Sequence, residues 1–204
     1  MQSLPLNFIA GFIVSFLGTL PIGVLNVTIM EVSLKKGMQS AIYFAMACAL
    51  VELFYSYISV QLTRSIADFP ALGTITESVA SITLFVMGIF YIRKQQNSVV
   101  SKQKSVSSFY LGTLLSVLNV VAFPFWILYT SLLQAKGIVG ISQHSLVIGY
   151  VSGISLGTIA GLLPFAYASR FLTGLVALHR HRLDKVIGFI FFFLSFCQFV
   201  SLFI

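Results

Sequence analysis

The sequence predicts an all-α, polytopic membrane protein with six transmembrane helices arranged as two inverted three-helix repeats. Three observations carry this expectation. Of 204 residues, 58% are hydrophobic and only 8% charged, with mean hydropathy +1.00, far from a soluble globular domain. The apolar residues gather into six segments, 6–30, 38–62, 71–92, 109–133, 145–169 and 186–204. Each has about 20 residues or more, which at a rise of about 1.5 Å per residue matches a hydrocarbon core about 30 Å thick. Finally, the basic residues alternate from loop to loop, which fixes an orientation. The period-2 alternation of an outer-membrane strand is missing, so the segments are helices.

The first segment follows MQSLPLN, which has no basic stretch and no small-residue cleavage pattern behind a short apolar run. It is therefore read as a retained span rather than a signal peptide. Inside it stands PIGVLN, Pro21 to Asn26. Proline lacks a backbone donor and clashes with the preceding turn, and Gly23 loosens the same turn, so the helix breaks at membrane depth. Asn26 beside the break either caps the exposed backbone or binds polar groups of a solute. Glu31, at the cytoplasmic end, is expected to pair with Lys35 four residues on.

The second segment carries Glu52 near its middle, 16 residues after Lys36 and 12 before Arg64. An intramembrane acid is costly and usually faces the bundle interior or a water-filled cavity, often with a part in ion or proton movement. Its neighbours at helical spacing are Ala45, Cys48, Ala49, Tyr55, Ser56 and Ser59, a small and polar face, while Phe44, Leu50, Phe54 and Tyr57 point elsewhere. Glu52 therefore faces protein. It is a candidate for a carried or exchanged proton, for the counter-ion of a cationic solute, or for a purely structural neutral acid. Cys48 and Cys197 lie in apolar segments without a CxxC and read as small packing residues.

In the third segment Glu77 lies in the outer third and can reach interfacial water. A basic linker, 93–108, separates the halves 1–92 and 109–204. A shift of 101 places aligns Phe8 with Phe109, Gly11 with Gly112, Ser15 with Ser116 and Leu17 with Leu118, and two places more bring Pro21 onto Pro124 and Gly37 onto Gly140. Asn119 stands beside the second break as Asn26 does beside the first. Because each half holds three spans, the second half enters the membrane in the opposite sense. Secondary transporters with inverted repeats place their solute sites at the repeat interface, often on interrupted helices. Two breaks at corresponding places point to exposure of backbone groups to a solute. The structural alternative is a pair of plain proline kinks.

The fifth segment contains Gly149, Gly153, Gly157 and Gly161 on one stripe, which reads as helix packing within the bundle or between subunits. The loops after the first, third and fifth segments hold Lys35, Lys36, Arg93, Lys94, Lys102, Lys104, Arg170, Arg180, Arg182 and Lys185, ten of the 12 Lys and Arg, against Arg64 and Lys136 in the other two. Those three loops therefore face the cytoplasm and both termini face outward. The same asymmetry accounts for the net charge of +7. HRHRLDK, His179 to Lys185, reads as an anchor beside anionic lipid, with no nucleic-acid partner.

No Walker A loop, HExxH or GxSxG occurs, and no nucleophile stands at recognisable spacing from a base, so an enzyme is not expected. His144, His179 and His181 make no metal site, no cofactor is called for, and no filter signature supports a channel.

FIAGFIVSFLGTLPIGVLNVTIMEVSLKKGMQSAIYFAMACALVEL resembles the first half of the lysine exporter (LysE) superfamily, six-helix bacterial inner-membrane translocators. Pro21 falls on the first proline of that family's PGP-like break and Glu52 on its acidic position, while Phe109, Gly112, Asn119 and Trp126 resemble its fourth-helix pattern. The chain departs from the pattern at Gly23, Val51 and Val120, where a second proline, a glycine and a proline are usual. The resemblance implies efflux of amino acids or similar small polar metabolites coupled to protons, often as a dimer. On this reading Pro21, Gly23, Asn26, Glu52, Asn119, Pro124 and Trp126 line the site. The competing readings are a scaffold that dimerises through the glycine stripe and an exporter of inorganic ions.

Overall fold

The computed structural model of the chain describes residues 3–21, 23–68, 106–119, 122–169 and 171, with single residues among 81–92 and 185–199. The expected third and sixth spans therefore lie largely outside the described residues, as do Glu77, Cys197, His179, His181 and the basic residues between 93 and 104.

Helix α1, Leu4–Thr19, starts on Ser3, whose hydroxyl accepts from the Leu6 amide, and carries Pro5 in its first turn, where an amide proton has no partner to lose. It stops ahead of Pro21, which can supply no N–H to continue the helix, although Leu20 before it still has helical dihedrals. Helix α2, Val24–Lys36, resumes the same apolar segment after a bend of 78°. Lys35 and Lys36 sit in its last turn, favourable for the helix dipole, and Gly37 closes it at φ +84°, a conformation suited to glycine. The expected pair forms, with Lys35 Nζ 2.5 Å from Glu31 Oε1 at the surface.

Helix α3, Met38–Asp68, is one continuous span. It outruns the expected 38–62 and contains Arg64, a residue the apolar pattern assigns to a loop. The Arg64 guanidinium donates to the Ile141 carbonyl and to Gln61 Oε1, tying the end of α3 to the segment before the last described helix. Helices α4, Ser108–Val117, and α5, Ala122–Ala135, repeat the broken design with a bend of 66°. Helix α6, His144–Tyr167, completes the set. Among the described residues every element is helical. Two helices, α3 over Met38–Ser65 and α6, are each long and apolar enough to cross a membrane, and the two bent pairs bring the number to four if each is one span.

Helix α1 lies alongside α6 and runs the same way. A Cβ placed on Gly149, Gly153, Gly157 or Gly161 would meet Leu4, Phe8, Phe12 and Thr19 in turn, and at Gly153 it would stand 2.1 Å from the Phe8 carbonyl oxygen. The glycine stripe thus packs inside the chain, against α1, the first of the two packing roles expected of it. Without a hydrophobic drive between helices in lipid, close backbone approach of this kind supplies the packing attraction.

Helix α4 lies alongside α3 in the same manner. A Cβ on Gly112 would stand 2.6 Å from the Phe44 carbonyl oxygen, just as one on Gly11 would stand 2.3 Å from that of Tyr150 on α6. Helices α3 and α6 cross in opposite senses, and at the crossing Ser155 Oγ donates to the Ala49 carbonyl at 3.1 Å. Two cores flank this crossing. One joins α2 and the first half of α3 to the end of α6, through Ile29, Met30, Phe44, Cys48 and Leu162. The other joins α5 and the second half of α3 to the start of α6, through Val60, Trp126, Val147 and Tyr150. Phe44 is fully buried, whereas Leu50, Phe54 and Tyr57 are exposed as the helical spacing had suggested.

Candidate functional site

The first break is closed by one side chain. Asn26 Nδ2 donates to the Thr19 carbonyl at 2.8 Å, and Asn26 Oδ1 accepts from the Gly23 amide at 3.1 Å. The amide therefore supplies both a donor and an acceptor to backbone left unpaired where α1 stops and α2 begins, the capping role of the two roles open to it. Gly23 is the N-cap of α2, and Pro21 is exposed in the turn between the helices.

The second break is served from α3. Tyr55 donates its hydroxyl to the Val117 carbonyl at 2.6 Å, and Ser59 donates to the Phe123 carbonyl at 3.2 Å. Asn119 contributes its backbone, with its N–H bonded to the Ser116 carbonyl and its own carbonyl accepting from Ala122, both at 3.1 Å. Pro124 is the third residue of α5, not a residue of the break. In the first turn its missing N–H costs no helical bond, so it helps to start α5 as Pro21 helps to stop α1.

One turn into the middle of α3 from Cys48, half-buried Glu52 accepts a hydrogen bond at Oε1 from the indole N–H of Trp126 on α5. Trp126 is 1% exposed, the largest fully buried side chain described. An indole nitrogen only donates, so Oε1 keeps its acceptor role whether or not the carboxyl group carries a proton. The carboxyl can thus accept from the indole in either protonation state, more strongly as the carboxylate.

The two breaks meet at an aromatic ring. Phe125 packs edge-on against Trp126, with ring centres 5.0 Å apart, and lies 4.5 Å from Tyr129 by the same measure. The far edge of its ring faces Gly18, next to the end of α1, where an added Cβ would come within 2.9 Å of Cζ. Of the residues expected at the site, Glu52 and Trp126 are brought together, as are Gly23 and Asn26. Among the described residues no three His, Cys, Asp or Glu side chains gather as metal ligands.

Sequence reasoning missed several polar groups. Asn7 is fully buried and bonds the Gly140 carbonyl at 2.7 Å, the Leu146 carbonyl at 2.9 Å and the Gly140 amide at 3.1 Å. Ser15 on α1 and Thr158 on α6 join hydroxyls at 2.9 Å. The available signal was an amide or hydroxyl inside an apolar helix, which asks for a partner wherever it occurs.

Apolar helices long enough to cross a membrane, two pairs of them sharply bent at a break tied to neighbouring helices, define a multi-pass membrane protein. The comparison with known families agrees: the LysE type translocator family matches residues 16–201. The chain belongs to that family. No curated protein and no solved structure matches it.

Proposed function

We propose that the chain is a secondary transporter of the bacterial inner membrane that exports amino acids or similar small polar metabolites in exchange for protons. The observation that carries this reading is the hydrogen bond from Trp126 to Glu52, which ties the one acid at mid-depth of α3 to the helix that begins at the second break. In alternating access a fixed site is exposed first to one side and then to the other, and a protonatable group there links the two states to the gradient. Glu52 is that group, Trp126 positions it, and the breaks at Pro21, Gly23 and Asn26 and at Asn119, with Pro124 starting the helix beyond the second, provide the hinges and solute-facing backbone.

The chain is read as two inverted repeats, 1–92 and 109–204, joined by the basic cytoplasmic linker 93–108, with six spans and both termini periplasmic. In support, each repeat's first helix packs on the other repeat's second helix through a glycine, Gly11 on Tyr150 and Gly112 on Phe44. The step that carries Phe44 to Tyr150 also carries Ala49 to Ser155, the two residues bonded at the α3–α6 crossing, as a two-fold axis through that point requires.

The test is efflux of labelled amino acids from proteoliposomes under an imposed pH gradient, with native protein beside Glu52→Gln. Movement of one solute with the gradient, lost in the variant, supports exporter and coupling residue together. Movement that persists in Glu52→Gln overturns the coupling role. If nothing in the panel moves with either protein, the amino-acid reading is lost.

A further inference from the structure

Ser15 and Thr158 occupy a special place relative to Glu52. The shift that takes Gly11 to Gly112 takes Ser15 to Ser116 on α4, and the step that takes Tyr150 to Phe44 takes Thr158 to Glu52. The hydroxyl pair of α1 and α6 therefore corresponds to a pair of Ser116 with Glu52 between α4 and α3. In this structure the first pair is made, at 2.9 Å with both residues buried. The second is open. Glu52 is held by Trp126 instead, and Ser116 Oγ is buried with no oxygen or nitrogen partner among the described residues, its polar neighbour being the Cys48 thiol. That thiol approaches the Gly112 carbonyl at 3.8 Å, the carbonyl one turn back that a helical serine ordinarily uses.

We infer that Ser15–Thr158 and Ser116–Glu52 are alternating closures of one transport cycle: the first is made and the second open while Trp126 holds Glu52, and the reverse holds in the opposite-facing state. The inference rests on the inverted-repeat reading and adds to it the residues that change partners. The exchange is chemically cheap on both sides. Thr158 already donates to the Ile154 carbonyl at 3.2 Å, so it loses no obligatory bond when Ser15 leaves. Ser116 gains a partner for a buried oxygen whose polar neighbour is otherwise the Cys48 thiol. Protonation of Glu52 weakens it as an acceptor for the indole and gives it an O–H to offer Ser116. Among the described residues the titratable groups around this point are Cys48 and Tyr55 on α3 itself, the latter bonded to the Val117 carbonyl beside Ser116, and Tyr150 on α6, in the core that holds Trp126, while α4 and α5 present Ser116 and Trp126, which do not titrate.

The test uses the full chain in liposomes, with Cys48→Ala and Cys197→Ala to remove native thiols, and with Ser15→Cys and Thr158→Cys. Trp126 is the chain's single tryptophan, so quenching of its fluorescence by acrylamide, a small neutral probe, reports how open it is. Quenching is measured at about pH 5 and about pH 8, either side of the range in which most protein stability is greatest, with Glu52→Gln in the same background setting the zero. The reduced protein is expected to quench more at the lower pH, the oxidised protein to lose that difference once mass shows the 15–158 disulfide, and dithiothreitol to restore it. If the disulfide forms and the difference persists, Ser15–Thr158 is static packing and the inference is overturned while the proton role of Glu52 stands. If the reduced protein shows no difference beyond Glu52→Gln, the proton reading itself fails and takes the inference with it. If the disulfide does not form, the two positions are not a closure, and the inference is overturned on geometry.

Discussion

The indole N–H of Trp126 donates to Oε1 of Glu52 across 74 residues of sequence, joining α5 to α3 just beyond the break that starts α5. Replacing either partner separates its two jobs. Glu52→Gln keeps an acceptor for the indole but cannot ionise, so gradient-driven efflux should vanish while the melting temperature in detergent stays near native. Trp126→Phe keeps the ring but removes a hydrogen bond to an ionisable group, worth about 1.5–3 kcal/mol. Efflux should fall about tenfold or more, and the solute concentration for half-maximal rate should be compared with native protein to separate positioning from binding.

Gly153 is the tightest seat in the α1–α6 contact, with an added Cβ 2.1 Å from the Phe8 carbonyl oxygen. Backbone cannot step aside as a side-chain tip can, so Gly153→Ala should cost about 1–3 kcal/mol or more by overpacking. Gly137, at φ +69° with nothing within 4 Å of an added Cβ, is the control. Alanine there meets only the backbone penalty of about 1–2 kcal/mol. Thermal unfolding of the two variants should rank Gly153→Ala as the less stable.

Asn26→Ala removes a donor and an acceptor from the first break at once. The Thr19 carbonyl and Gly23 amide would be left without their partner at a depth where unsatisfied backbone costs several kcal/mol. Asn26→Asp keeps the acceptor for Gly23 and loses only the donor to Thr19. Amide hydrogen exchange across 20–27 should therefore speed up in both variants, and more in alanine than in aspartate.

Asn7→Ala should destabilise without touching transport chemistry. Its three hydrogen bonds fasten the start of α1 to Gly140 and Leu146, with the side chain fully buried, and each group left unpaired costs about 1–3 kcal/mol. A lower melting temperature with native efflux per folded molecule is the expected result; loss of efflux in folded protein would give Asn7 a role in the cycle.

What could be read in the sequence is what acts locally. Pro21 stops a helix by sterics within four residues, and Glu31 finds Lys35 one turn away, so both were legible. Glu52 was placed on a protein-facing side by its small and polar neighbours, two of which, Tyr55 and Ser59, do reach the second break. Its bond to Trp126 was not legible, because it depends on α4 and α5 lying beside α3, which no spacing within one helix reveals. Arg64 was misplaced because apolar residues alone set the expected end of the second span, while the helix continues into Ser65 and Asp68. Phe44 was hard to place for a different reason: lipid and protein interior are both apolar, so a large hydrophobic residue satisfies either.

The parallel seating of α1 on α6 bears on how the chain is made. The seat for Leu4 is Gly149 and that for Phe8 is Gly153, so the glycines that receive α1 are synthesised about 145 residues after it. At about 5–20 residues per second, α1 waits roughly 7–30 s in the bilayer before its partner exists. During that interval Asn7 has neither Gly140 nor Leu146 to bond. Assembly is thus necessarily post-insertional for the first helix, and the biosynthetic machinery has to tolerate, or shelter, an unpaired amide for as long as the second half takes to arrive.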